Sequence, residues 1–296
     1  LLGIVYVYAG LAKLNSDWLL HAMPLKIWLP SKFDIPLLGQ FMGYEWVHYA
    51  FSWAGALYDL AIPFLLLHKP TRWFAFALVV VFHALTRILF PIGMFPYIMI
   101  VGTLIFFEPA VHKRILGFFG RLLRIDGGVF ESGAILKDMG YGRRLKLGII
   151  ALFFAFQLLF PWRYVLYPGE LFWTEEGYRF SWRVMLMEKA GYAQFKIVEG
   201  TTGRWFYVDN TDFLTPFQEK QMSFQPDFIL EYAHYLKGHF ESQGHQAVEV
   251  YVDCSVALNG RVSKPYIDPE VDLGKQRESF RHKTWILPFE DENKGL

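Results

Sequence analysis

Cysteine is almost absent from this sequence: Cys254 is the one thiol in 296 residues. That excludes a disulfide within the chain and any Cys-based zinc site. Charge is scarce too, at 19% of residues, and nearly cancels to a formal +1. A nucleic-acid footprint needs a basic stripe, and this balance gives no support for one. The sequence has no HExxH, P-loop, GxGxxG or GxSxG motif. His21, His48, His112, His234, His239, His245 and His282 fall at spacings that do not suit a metal, so no metal is expected. No internal repeat or low-complexity segment stands out.

What is abundant is apolar and aromatic: 53% and 19% of residues. The excess lies in the first 165 residues, which predicts an integral membrane part followed by a soluble one. The chain opens inside an apolar run, "LLGIVYVYAGLA". A bilayer takes about twenty such residues, and a secretory leader would need a basic start. The expectation is therefore that the start of this helix, and what precedes it, is missing. Four further spans are expected at about 46–67, 73–90, 92–107 and 145–162. Pro91 alone separates the third and fourth of the five spans. With Pro96 it predicts an irregular, re-entrant turn, which membrane protein tolerates where protein or a cavity satisfies the backbone.

Basic residues set the expected orientation. The link "HKPTR" (68–72) is basic, as is the segment 110–146, with Lys113, Arg114, Arg121, Arg124, Lys137, Arg143, Arg144 and Lys146 against Asp126, Glu131 and Asp138. Both belong inside, and the link 15–45 outside. Everything after about Arg163 is then delivered to the outer, periplasmic or lumenal, side. The expected domains are 1–165, transmembrane, and 166–296, soluble.

The soluble part reads as β-rich, either α+β or sandwich-like. "AQFKIVEGTTGRWFYVDN" predicts two strands around a turn, and "QAVEVYVDCSVALNGRVS" alternates strictly up to the hairpin signal Asn259-Gly260. Between them a helix is expected with Phe228, Tyr232, Leu236 and Phe240 on one face, Pro226 near its start and Gly244 after its end.

Lys13, in "AGLAKLNSDW", ends the first apolar run. Lysines at helix ends ordinarily snorkel to water. Here a glycine-containing helix precedes it and Asn15, Asp17 and Trp18 follow, a setting that keeps an amine partly dry. Burial disfavours an ammonium, and a free amine can act as a general base. The residues alone leave anchor and base both open. His83 and Arg87 stand one turn apart in "VFHALTRILF", His83 about 15 Å from the inner end of its helix. Ionisable groups at such depth line cavities or pair between helices. Asp59 in "GALYDLAIPF" is a third, expected to pair with Arg87 or Lys13 or to cap an irregular turn near Pro63. The aromatic, charged stretch "WTEEGYRFSWRVMLMEKAG" is read as an interfacial belt or the roof of a lipid-soluble ligand's pocket.

Successive segments then resemble the vitamin K-dependent γ-glutamyl carboxylase family, whose membrane part is of the HTTM type. They are "YAGLAKLNSDWL", "LYDLAIPFLLL", "FHALTRILFPIGMFPYIMI", "GYRFSWRVMLMEK", "TGRWFYVDN", "VYVDCSVALNGRVSKPYIDPEVDL" and "FRHKTWILP". The likeness runs in order along nearly the whole chain and is read as that of a bacterial-type member. It implies a multi-pass membrane enzyme of the carbon–carbon lyase class with a lumenal β-rich domain. Such an enzyme couples oxygenation of reduced vitamin K by O₂ to addition of CO₂ to peptide glutamate, and vitamin K leaves as the epoxide. Its partners would be a glutamate-containing protein or peptide, membrane lipid and a quinone reductase, with no nucleic acid. By position, Lys13 matches the family lysine proposed to deprotonate the hydroquinone, and His83 a histidine of the same pocket region. Tyr178, Ser181, Trp182 and Met185 match a stretch near the quinone and glutamate sites, and Asp59 a structural intramembrane aspartate, with Arg87 beside His83 as a second structural polar group. Met187 and Lys189 depart from the His and Arg of the animal enzymes. Two other readings follow from that: a quinone epoxidase without peptide carboxylation, and a non-catalytic membrane-anchored binding module.

Overall fold

The computed structural model describes residues 1–124, 142–291 and 295. In chain order the helices begin with α1 (Leu2–Ala12), α2 (Ser16–His21), α3 (Leu25–Trp28), α4 (Glu45–Leu67) and α5 (Arg72–Leu89). They continue as α6 (Phe95–Thr103), α7 (Pro109–Leu123), α8 (Arg143–Leu159), α9 (Leu171–Thr174), α10 (Pro216–Met222) and α11 (Pro226–Ser242). The strands are β1 (Lys189–Glu199), β2 (Trp205–Tyr207), β3 (Val248–Leu258) and β4 (Lys264–Pro265). Two compact units result: one of residues Leu1–Leu11 and Trp53–Leu159, the other of Ala12–Ser52 and Phe160–Leu296.

The first unit is helical. Three helical stretches lying mostly in it are long and apolar enough to cross a membrane: Glu45–Leu67, which begins before Trp53, Lys69–Leu89, and Arg143–Leu166, which runs on past Leu159. The expected span at 92–107 is shorter. Pro91 and Gly93 (φ +61°) consume its start in a turn, Pro96 sits in the first turn of the helix, and the apolar helix runs only from Phe95 to Phe106. Twelve residues reach about 18 Å, short of a bilayer core of about 30 Å. α4 continues through Pro63 instead of breaking there. Its neighbours pack around Tyr6, Ile62, Leu66, Ala75, Val79 and Met99, drawn from α1, α4, α5 and α6. A Cβ at Gly10 would stand 2.7 Å from Leu60 Cγ, so glycine is what lets α1 lie this close to α4. The central part of the basic link, with Lys137, Asp126, Glu131 and Asp138, lies outside the described residues.

The second unit carries one four-stranded antiparallel sheet among the described residues, in the order β2-β1-β3-β4. Alternation along β3 buries Val248, Val250, Val252, Cys254, Val256 and Leu258 and leaves the intervening residues less covered. β1 pairs with it in register Phe195↔Val252 and Ala193↔Cys254. With a single sheet covered by helix, the α+β arrangement is the one formed and the sandwich-like alternative is not. The hairpin signal is real: Asn259 (φ +49°) and Gly260 (φ +75°) turn the chain from β3 towards β4. α11 buries Ile229, Tyr232, Ala233, Leu236 and Phe240. Phe195 meets Tyr232 edge-on at 4.9 Å, and Phe206 meets Phe240 at 5.1 Å. Phe228 departs from expectation at 40% exposed. It lies about 100° round the helix from Ile229, at the edge of the stripe.

Burial pushes the Cys254 thiol up to about 12. Only about one thiol in ten thousand is then thiolate at pH 8. Iodoacetamide at pH 8 should therefore label Cys254 only after denaturation, as read by mass spectrometry. Labelling of the folded protein at the rate of a free thiol would contradict this placement.

Candidate active site

Two ionisable groups of the helical unit, Asp59 and His83, lie on faces its packing buries. His83 follows Ala75 and Val79 along the buried stripe of α5 and is 2% exposed. Its Nε2 lies 2.9 Å from the Tyr6 hydroxyl. Tyr6 meets Tyr58 edge-on at 5.9 Å, Tyr58 stacks on Phe82 at 4.0 Å, and Phe95 faces the imidazole at 6.1 Å. Among the described residues, His83 Nδ1 and the Tyr58 hydroxyl are buried with no hydrogen-bond partner. An unpaired buried polar atom costs about 1–3 kcal/mol, so two in one aromatic setting call for an explanation. Asp59 is buried on α4, whereas Arg87 is exposed.

In the other unit Lys13 follows α1 directly and is 7% exposed. Its Nζ stands 5.3 Å from the centre of the Trp18 ring. The turn between them is closed by Asn15. Its side-chain oxygen accepts from the Trp18 backbone N–H at 2.9 Å, and its amide donates to the Ala12 carbonyl at 2.8 Å. The Trp18 indole donates to the Ser52 carbonyl at 2.8 Å, and the Ser52 hydroxyl donates back to the Trp18 carbonyl.

Asp17 anchors this segment to the sheet. It is 1% exposed and accepts two bonds from the Arg261 guanidinium, at 2.8 and 2.7 Å, and one from the Asn259 amide at 2.7 Å. Asn259 also ties in Glu188, whose N–H donates to its side-chain oxygen at 2.8 Å and whose carbonyl accepts its backbone N–H at 2.8 Å. Asp17, and after it Asp291, hold the Arg261 guanidinium above even its usual range. Beyond a turn at Asn259-Gly260 no local pattern marks this junction, because its partners lie 242 and 244 residues apart.

Glu188 ends the stretch that bears the remaining candidates. Phe180, Trp182 and Met185 take left-handed backbone conformations, φ +54°, +58° and +54°. Each costs a non-glycine residue about 1 kcal/mol, and such residues persist only where the surroundings over-determine them. Here both ends are clamped. The Lys189 ammonium, with its side chain fully buried, donates to Glu175 Oε1 at 3.0 Å, the Trp173 carbonyl at 2.9 Å and the Tyr266 hydroxyl at 3.1 Å. Burial pulls Lys189 below the usual lysine range while Glu175 opposes it. Glu176 accepts from His282 Nδ1 at 2.8 Å and the Lys283 N–H at 2.6 Å. Within the stretch Tyr178 is pushed up to about 12 by burial, Ser181 is buried and donates to the Tyr178 carbonyl, and Trp182 and Met185 are half-buried. Arg183 lies over the Tyr164 ring at 4.5 Å, and burial lowers it. Among the described residues no group of three His, Cys, Asp or Glu converges as metal ligands would.

Two stability measurements follow, both by thermal unfolding in detergent. For Asp17→Asn and Arg261→Gln, a double-mutant cycle should give a coupling of about 2–3 kcal/mol. A coupling near zero would mean that the junction does not hold the Lys13 segment. Lys189→Met strands Glu175 and should cost about 3 kcal/mol, kept to the low end because Arg179 lies 3.8 Å from the same carboxylate. Adding Glu175→Leu should restore most of that loss; no restoration would contradict a clamp made by the pair.

Residues 142–292, just over half of the chain, match the family described as vitamin K-dependent gamma-carboxylase, lumenal domain. Residues 1–110 match the HTTM domain. No solved structure matches the chain. With these two matches in sequence order along it, the chain belongs to the vitamin K-dependent gamma-carboxylase family.

Proposed function

We propose that this chain is the core of a multi-pass membrane gamma-carboxylase, adding CO₂ to glutamate side chains of a protein or peptide at the expense of reduced vitamin K and O₂. One observation carries the reading beyond family membership: the amine of Lys13 is held over an indole, in a buried place, by a turn anchored to the sheet. A lysine that merely snorkelled would have its ammonium in water.

Reduced vitamin K supplies, when bound, a hydroquinone whose oxidation by O₂ yields a base strong enough to remove a glutamate γ-proton. The residues present suit such a group. His83 Nδ1 and the Tyr58 hydroxyl are buried polar atoms in want of a partner, set among aromatic rings that match a fused aromatic nucleus. Within its own unit, Lys13 would be the residue to accept a hydroxyl proton, and the Trp18 ring beneath its Nζ would stabilise the ammonium formed. His83, oriented by its bond to Tyr6, would have its other nitrogen left to hold an oxygen of such a group. Tyr178, Ser181, Trp182 and Met185 line the approach for quinone and glutamate, while Asp59 and Arg87 serve the helices structurally. Buried, largely apolar surroundings exclude the water that would quench a strong base.

In this reading residues 1–165 form the membrane domain and 166–296 the domain on the periplasmic or lumenal side, with the basic link 68–72 inside. A quinone reductase regenerates the reduced cofactor. A second reading, quinone epoxidation without peptide carboxylation, is favoured by Lys189. All three of its ammonium hydrogens are engaged by Glu175, Trp173 and Tyr266, so it is not on offer to a substrate carboxylate.

Full-length protein in nanodiscs, given vitamin K hydroquinone, a glutamate peptide and labelled bicarbonate, separates these readings by assay of both epoxide and γ-carboxyglutamate. Both products are expected, and Lys13→Ala should lower both by at least about a hundredfold, the scale of a lost general base. Epoxide without γ-carboxyglutamate selects the second reading, and normal epoxidation by Lys13→Ala refutes the role of Lys13.

A further inference from the structure

Among the described helices the strongest amphipathic character belongs to α7, which neither the membrane-crossing helices nor the candidate site uses. From Pro109 to Arg124 the sequence "PAVHKRILGFFGRLLR" contains four Lys or Arg and no Asp or Glu. At 100° per residue, Lys113, Arg114 and Arg121 fall within an arc of about 100°, and Arg124 at its C-terminal cap continues that arc. Leu116, Phe118, Phe119, Leu122 and Leu123 fall on the opposite arc of about 160°. These five are between 42% and 65% exposed, and the buried residue of α7 is Gly120. The chain thus presents a broad apolar face backed by cations, with none of its own described residues covering that face.

What covers it follows from its neighbours and its charge. The start of α7 is drawn to the basic link between α4 and α5 by an ion pair of Glu108 with Lys69 at 2.9 Å. That link joins two of the helices long and apolar enough to cross a membrane, and the third opens with Arg143, Arg144 and Lys146. The helix therefore begins at the basic end of the α4–α5 pair, where a membrane-crossing helix meets the headgroups. A second copy on the apolar arc would leave the cations of both copies without counter-charge, whereas phosphate headgroups would neutralise them. We propose that α7 lies in the plane of the membrane, its apolar arc at the headgroup–acyl boundary and Lys113, Arg114, Arg121 and Arg124 on acidic lipid headgroups. This rests on the membrane reading given above.

The test uses the full chain in nanodiscs of phosphatidylcholine with or without phosphatidylglycerol, with fluorophores on single introduced cysteines; native Cys254 is buried and does not compete. Probes at Phe118→Cys and Leu122→Cys should be quenched by spin-labelled lipid, a probe at Lys113→Cys by aqueous iodide, and one at Leu152→Cys on α8 by lipid. Spin-labelled phosphatidylglycerol should quench Phe118→Cys more than spin-labelled phosphatidylcholine. Arg114→Gln and Arg121→Gln should each reduce that preference about five-fold, as expected for a charge at an acidic surface. Iodide quenching of Phe118→Cys and Leu122→Cys with lipid quenching of Leu152→Cys overturns the inference alone. Iodide quenching of all of them overturns the membrane reading with it. Cross-linking between copies through Phe118→Cys without lipid quenching assigns the face to a second copy and also overturns the proposal. An unchanged lipid preference in the arginine variants overturns the acidic-lipid contact.

Discussion

A single buried carboxylate, Asp17, ties together the segments of the second unit that carry the proposed site residues. It takes a fork of two bonds from Arg261 and a third from Asn259, so its buried charge faces a guanidinium and an amide. A lone buried carboxylate would shift towards neutrality or unfold its surroundings; a bidentate guanidinium plus an amide makes burial tolerable. Through Asn259 the same junction reaches Glu188, the end of the stretch with Tyr178, Ser181, Trp182 and Met185. Through the chain it reaches Trp18, whose ring faces the amine of Lys13. The lysine segment and the candidate substrate-facing stretch thus share one fixed point. The hairpin turn at Asn259-Gly260 supplies it.

The strained stretch from Phe180 to Met185 illustrates how rigidity is arranged. Three left-handed non-glycine residues are unfavourable locally, so the neighbouring structure has to fix them. It does so with buried, fully engaged charges at the boundary: Glu175 with Lys189, and Glu176 with His282 and the Lys283 backbone. Lys189 closes that boundary with its side chain fully buried and all three donors engaged. The helical unit uses a different device, packing aromatic rings around His83 and leaving polar atoms of His83 and Tyr58 uncommitted.

The sequence revealed those features that local periodicity encodes. Strict alternation located β3, the Asn259-Gly260 pair located its turn, and apolar length located α4, α5 and α8. It misjudged features decided by a few degrees or residues. Phe228 sits at the edge of the buried stripe, and the proline-flanked turn shortens the apolar helix after Pro91 to Phe95–Phe106. Position in the apolar runs raised Lys13 and His83 as candidates and the resemblance supplied their roles; both are buried. The partners of Asp17 were invisible, because no pattern in a single sequence links Asp17 to Asn259 and Arg261. The Lys189–Glu175 pair was hidden for a related reason: an exposed-looking charge in a mixed segment reads as solvated until the fold buries it.

Hydrogen exchange in wild type and Arg261→Gln tests the shared fixed point most directly. Amides of residues 13–20 and of residues 180–189 should lose protection together, while those of α11 keep theirs. Faster exchange in only one of the two segments, or in neither, would contradict the claim that one buried carboxylate positions both.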